Sequence, residues 1–176
     1  MKEGVLSMEK ECFIFLDVDG PLNTTRNIKY HHNRRLSTSS YRIHLPPRQL
    51  EQLARLVKET GARLILSSSW RLINTAHTKG YKSPARENLE RQLKQVGLYL
   101  SGQTPYIGSQ RGKEISTWLD HYETYNGYRP AYVILDDNVS SIVDEHRGHI
   151  VYCDPETGLT DKETDIAIRL LYRQMK

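Results

Sequence analysis

Short apolar runs alternate along this chain with longer stretches in which apolar residues recur every three or four positions. Cys12 to Leu16 (CFIFL), Ala62 to Leu66 (ARLIL) and Ala131 to Leu135 (AYVIL) are the runs, and His149 to Cys153 is a fourth candidate. Unbroken runs of this length suit strands covered on both faces, which lose polar alternation. Leu50, Leu53, Leu56 and Val57 follow Pro46 and Pro47 and stop before Gly61. Proline in a first turn and glycine after the last are helix punctuation. Ser83 and Pro84 open a second helical pattern carrying Leu89, Leu93 and Val96 up to Gly97, with Ser83 in the N-cap position. Ile115, Trp118, Leu119 and Tyr122 mark a third. Thr160 and Glu163 make a capping box ahead of a last helix with Ile166, Ala167, Leu170 and Leu171. Strands alternating with amphipathic helices predict an α/β fold with a mainly parallel sheet.

The 176 residues are 38% hydrophobic and 26% charged, enough for a real core and of a size for a single domain, 1–176. The 11 glycines and 7 prolines exclude collagen-like or low-complexity character. No run approaches the roughly 18 apolar residues of a membrane helix. The N-terminal MKEGVLSMEKEC lacks the apolar centre of a secretory signal, so a cytoplasmic location is the expectation. Cys12 and Cys153 stand far apart without metal-ligand spacing and read as buried free thiols. The formal charge is +4, but its distribution says more. From Asn23 to Arg48 there are Arg26, Lys29, Arg34, Arg35, Arg42 and Arg48, three histidines and no acid. Such a run is either a solvated loop or an electropositive surface that attracts a phosphorylated substrate.

In parallel sheets ligands sit at the C-terminal ends of strands. Asp17, Asp19, Ser68, Asp136 and Asp137 all follow the apolar ends of predicted strands. Asp17 and Asp19 are two residues apart, so an extended backbone sends both carboxylates to one side. Like charges so close are costly unless a cation neutralises them. With Asp136 and Asp137 at another strand end, Mg²⁺ is the natural partner, since it prefers oxygen ligands and uses one or two carboxylates plus substrate phosphate. Asp17, Asp19, Asp136 and Asp137 are therefore the candidate metal set. Lys113, at the start of the third helix, is a candidate phosphate contact, as are Ser68 and its neighbour Ser67. Trp70 reads as packing.

The order of these pieces resembles the haloacid dehalogenase (HAD) superfamily. FIFLDVDG (13–20), LILSSSW (64–70), RGKEI (111–115) and YVILDD (132–137) match its four motifs in sequence. DVDG…LN and SSSWR are also similar to the small phosphatase domains of RNA-repair and polynucleotide-processing members. The resemblance implies a Rossmann-like three-layer sandwich and a Mg²⁺-dependent phosphatase working through an aspartyl-phosphate. Asp17 would be the nucleophile and Asp19 the general acid and then base. Ser68 would bind the phosphoryl group, Lys113 would offset charge at Asp17, and Asp136 would hold Mg²⁺ with Asp137 as ligand or outer partner. The Asp19 carbonyl would be a further ligand. An acid at position 19 implies phosphate-ester rather than carbon–halogen chemistry. Pro21 departs from the Thr or Val common after the motif.

The chain between the first two motifs leaves about 25 residues beyond core elements, too few for a separately cored lid. A small basic flap over 23–48 in place of a cap leaves an open site, which resembles family members that act on large substrates such as polynucleotide ends or phosphoproteins; a nucleotide or nucleic-acid end is the expected substrate. Arg26, Lys29, Arg34 and Arg35 are its candidate substrate contacts, and Tyr30 and Tyr41 can stack on bases. Two other readings use the same residues. One is a phospho-Asp regulatory switch, disfavoured because receivers carry their acidic pair first. The other is a nucleic-acid-binding module with a relict site, disfavoured by the complete motif set.

Overall fold

A computed structural model describes residues 10–72, 83–142 and 144–176. Among them, β1 (Cys12–Leu16), β2 (Arg63–Leu66), β3 (Leu100–Gln103), β4 (Ala131–Asp136) and β5 (Ile150–Tyr152) form one sheet. Its order is β3-β2-β1-β4-β5, with every neighbouring pair parallel. The helices are α1 (Thr25–Asn33), α2 (Pro47–Thr60), α3 (Pro84–Gln95), α4 (Arg111–Asn126) and α5 (Asp161–Met175).

Side chains alternate across the sheet, so each strand feeds two cores. Ile14, Leu16, Leu64, Leu66, Val133 and Leu135 meet Leu53 and Leu56 of α2, Leu89 and Leu93 of α3 and Leu171 of α5. Phe13, Phe15, Ile65 and Ile134 meet Ile115 and Leu119 of α4. Phe13 and Phe15 both pack edge-on to Trp118, with ring centroids 4.9 and 5.3 Å away. Burying each such side chain favours folding by about 1.5–3 kcal/mol. The result is the expected Rossmann-like α/β sandwich, helices on both faces of an all-parallel sheet.

Most of the punctuation acts as its sequence predicts. Gly61 closes α2 in the left-handed region at φ 68°. The Ser83 hydroxyl accepts from the Arg86 N–H at 3.0 Å, and Thr160 and Glu163 complete their capping box. Cys12 and Cys153 are buried and free. None of the described helices is long and apolar enough to cross a membrane. Two elements carry too little apolar signal to have been predicted. The edge strand β3 reads LSGQ, and α1 (TRNIKYHHN) buries a single side chain, His31.

Residues 23–48, expected as a flap, fold as α1 and a pinned loop. Ile43 and Leu45 of that loop are buried. Asn88 and Gln92 of α3 each donate to the Ile43 carbonyl at 3.0 Å, and Gln92 Oε1 accepts from the Leu45 N–H at 2.7 Å. The region from Trp70 to Arg111, expected as core plus loop, contains α3 and β3, and 73–82 lie outside the described residues.

Candidate active site

β1 is the point from which the chain winds toward β2 on one side and β4 on the other. The carboxyl ends of such strands diverge into a crevice. Leu16 pairs with Leu135, and the Asp17 N–H extends the ladder to the Leu135 carbonyl at 3.0 Å. That register brings Asp17 beside Asp136. Asp17, Asp136 and Asp137 each offer a carboxylate oxygen, all within 4.8 Å of one another. They line a cleft of about 320 Å³ together with Ser69, Arg71 and Arg111.

Little water reaches the first two carboxylates. Asp17 is 8% exposed and Asp136 1%. Burial pushes the Asp17 carboxyl up to about 7, with neighbouring Asp136 adding to the rise while Arg111 opposes it. Burial also raises Asp136 and Asp137. Arg111 donates to Asp136 Oδ2 at 2.7 Å and lies 3.6 Å from Asp17 Oδ1. Its single charge does not balance three carboxylates, and the all-oxygen donor set suits a hard divalent cation.

Gly20 explains the last letter of the DVDG motif. Its φ is +87°, and a Cβ there would lie 2.5 Å from the Cβ and Cγ of Asp137. Both the backbone conformation and the space require glycine. Pro21 causes no loss, because the turn is closed by the Leu22 and Asn23 N–H groups on the Val18 carbonyl, at 3.0 and 2.8 Å. The Pro21 carbonyl accepts from Leu159 N–H at 2.8 Å.

The other expected residues are placed as follows. Asp19 lies outside the tight set of three carboxylates. Its Oδ1 accepts from Asn23 Nδ2 and its Oδ2 from Trp70 Nε1, both at 2.8 Å. Ser68 is wholly buried and its hydroxyl accepts from the Trp70 N–H at 3.3 Å. Ser67 is buried with an unpartnered hydroxyl, and Ser69 is the serine that lines the cleft. Lys113 is exposed, and the cation brought to Asp17 is Arg111. Side chains two positions apart on a helix point in nearly opposite directions. Arg111 shares the inward face with Glu114 and Ile115, three and four residues on, whereas Lys113 turns away. That periodicity is readable in RGKEI and would have selected Arg111. Arg26, Lys29, Arg34 and Arg35 are all exposed and none lines the acidic cleft. Lys29 pairs with Glu156 at 3.1 Å, and the Arg34 guanidinium stands over the Tyr30 ring at 5.2 Å.

Arg71 gave no signal in the sequence beyond its place in SSSWR. It is 5% exposed and ion-paired at 2.6 Å with wholly buried Glu114 of α4. Its Nη1 donates to the Ser68 carbonyl at 2.6 Å, and the Ile107 N–H donates to Glu114 Oε1 at 2.9 Å. The pair ties the serine turn after β2 to α4, which carries Arg111.

An all-parallel sheet with a carboxylate after its central strand, an acidic pair at the neighbouring strand end and a cation between them defines a HAD-like domain. The chain belongs to the family of HAD domains in Swiss Army Knife RNA repair proteins, whose family model matches residues 13–164. No curated protein and no solved structure matches the chain. Membership supports a hydrolase of the phosphatase type, and HAD domains usually use a divalent metal, for which the three aspartates offer a site.

Proposed function

We propose that this chain is a Mg²⁺-dependent phosphatase that cleaves a phosphate monoester through an aspartyl-phosphate on Asp17. The observation that carries the reading is the carboxylate of Asp17, buried at the mouth of β1 within 4.8 Å of Asp136 and Asp137 and faced by Arg111 at 3.6 Å. Asp17, Asp136 and Asp137 would hold the cation, with the Asp19 carbonyl as a further ligand. Bound there, Mg²⁺ would offset negative charge on the phosphoryl oxygens. In the first half, an Asp17 oxygen bonds to phosphorus as the bond to the leaving oxygen breaks, and Asp19 gives that oxygen its proton. In the second, water attacks phosphorus, Asp19 takes a water proton, and the bond between Asp17 and phosphorus breaks to free phosphate. Arg111 opposes charge at the equatorial oxygens, and the Val18 N–H, 2.9 Å from Asp17 Oδ1, orients Asp17.

The substrate class in this reading is a phosphorylated nucleotide or nucleic-acid end. Its support is the acid-free basic segment 23–48 and the description of the family, which is of RNA repair proteins. The test is a panel of phosphate esters with added Mg²⁺, including aryl phosphate, mononucleotides, sugar phosphates, phosphopeptides and oligonucleotides phosphorylated at either end. Phosphate release is expected, and Asp17→Asn is expected to lower it by about 10³-fold or more with the fold intact. Full activity in that variant would refute the assigned nucleophile. Stable phosphorylation of Asp17 without turnover would instead make it a switch.

A further inference from the structure

Trp70 looks like core in the sequence and is wholly buried, yet its one polar atom is directed at the site. Its indole Nε1–H donates to Asp19 Oδ2 at 2.8 Å. An indole nitrogen only donates, so the contact has one polarity. The other carboxylate oxygen, Oδ1, accepts from Asn23 Nδ2 at 2.8 Å. The orientation of that amide is fixed in turn, because Asn23 Oδ1 accepts from Asn27 Nδ2 at 3.1 Å. Asn27 also donates to the His44 carbonyl at 2.9 Å. Trp70 is held in its own place by its backbone. Its N–H donates to the Ser68 hydroxyl at 3.3 Å, and its carbonyl accepts from the Ser83 hydroxyl. Asp19 itself is an exposed residue. Without these two donors its carboxyl group would have no side-chain partner to fix its rotation.

We propose that Trp70 and Asn23 are positioning residues that clamp the Asp19 carboxyl group from both sides and aim it at the leaving oxygen. The proposal rests on the reading of Asp19 as the proton carrier. Proton delivery matters most when the leaving group is a poor one, such as an alkyl or ribose hydroxyl. An aryl oxide departs with little help. Loss of the clamp therefore acts selectively, whereas a general loosening of the core would slow every substrate alike.

The experiment compares kcat/KM for an alkyl and an aryl phosphate, since that ratio reports steps up to leaving-group departure. Trp70→Phe keeps an aromatic side chain and removes the N–H; Asn23→Ala tests the opposite side should Trp70→Phe fold poorly. Each is expected to lose at least about tenfold on the alkyl ester and less than about threefold on the aryl ester. Equal losses on both esters, or no loss, overturn the proposal. Asp19→Asn is the internal reference. If it shows no bias toward the alkyl ester, the reading of Asp19 as proton carrier fails, whatever Trp70 does. A readout independent of turnover uses the indole N–H resonance. The chain has two tryptophans, and Asp19→Asn should shift the Trp70 signal and leave that of Trp118 in place. An unmoved Trp70 signal also overturns the clamp.

Discussion

The acidic cleft and the basic surface of α1 with its following loop carry charge in opposite ways. In the cleft the ionic groups other than half-buried Asp137 are buried or nearly so and have partners at close range: Asp136 on Arg111, Glu114 on Arg71 and Asp17 on the Val18 N–H. On the α1 surface Arg26, Lys29, Arg34 and Arg35 stand in solvent. Charges in a low-dielectric site interact strongly and individually, while exposed ones are weakened by water and salt and act as a group. The comparison teaches that single substitutions should be decisive in the first region and graded in the second.

The sharpest way to break that contrast is at Arg111. Arg111→Ala should lower kcat/KM by about 10²–10³-fold, the typical cost of removing one charge-stabilising donor. Lys113→Ala, on the outward face of the same helix, should stay within about threefold. Steady-state kinetics on both variants checks this, and the reverse ranking would restore Lys113 to the site. Next comes Glu114→Gln, which leaves buried Arg71 without its counter-charge. Removing one member of a buried pair costs about 3–5 kcal/mol, so denaturant unfolding should show a loss of that order.

A third effect ties stability to pH. The Asp17 carboxyl is raised to about 7 by burial, against about 4 in the unfolded chain. Between those values the folded state binds the extra proton, so metal-free protein should lose stability as pH rises from about 4 to 7. A cation at the three carboxylates removes the penalty of ionising them. The rise in Tm on adding Mg²⁺ should therefore be larger at pH 7.5 than at pH 5, measured by thermal denaturation. An equal shift at both values would place the ion elsewhere.

The smallest effect belongs to the basic surface. Arg34→Ala with Arg35→Ala should raise KM for a phosphorylated oligonucleotide by about tenfold at low salt, fading as salt increases. The same pair should leave aryl phosphate kinetics unchanged. An equal effect on both substrates would remove the surface from substrate binding.

The two regions also differ in how far the sequence discloses them. β1 and β4 are unbroken apolar runs that end on aspartates, so both the strands and the acidic cluster follow from pattern alone. α1 and β3 are hidden because their sequences carry almost no apolar periodicity and their places are set by partners distant in the chain. His31 is the one buried side chain of α1, and the loop after it is held by Asn88 and Gln92 of α3. Arg71 and Trp70 are hidden for a different reason. A buried arginine and a tryptophan with its N–H on a carboxylate are written with the same letters as a surface arginine and a core tryptophan. Only the fold distinguishes them.

Gly20 has a consequence for the mechanics of the cleft. Where a side chain would stand, it leaves a notch, and Asp137, 117 positions further along, fills it. The two turns that carry the acidic groups are thus keyed into each other like tenon and mortise. Neither can move closer to the other, and any larger residue at position 20 would push Asp137 out of its place beside Asp17 and Asp136.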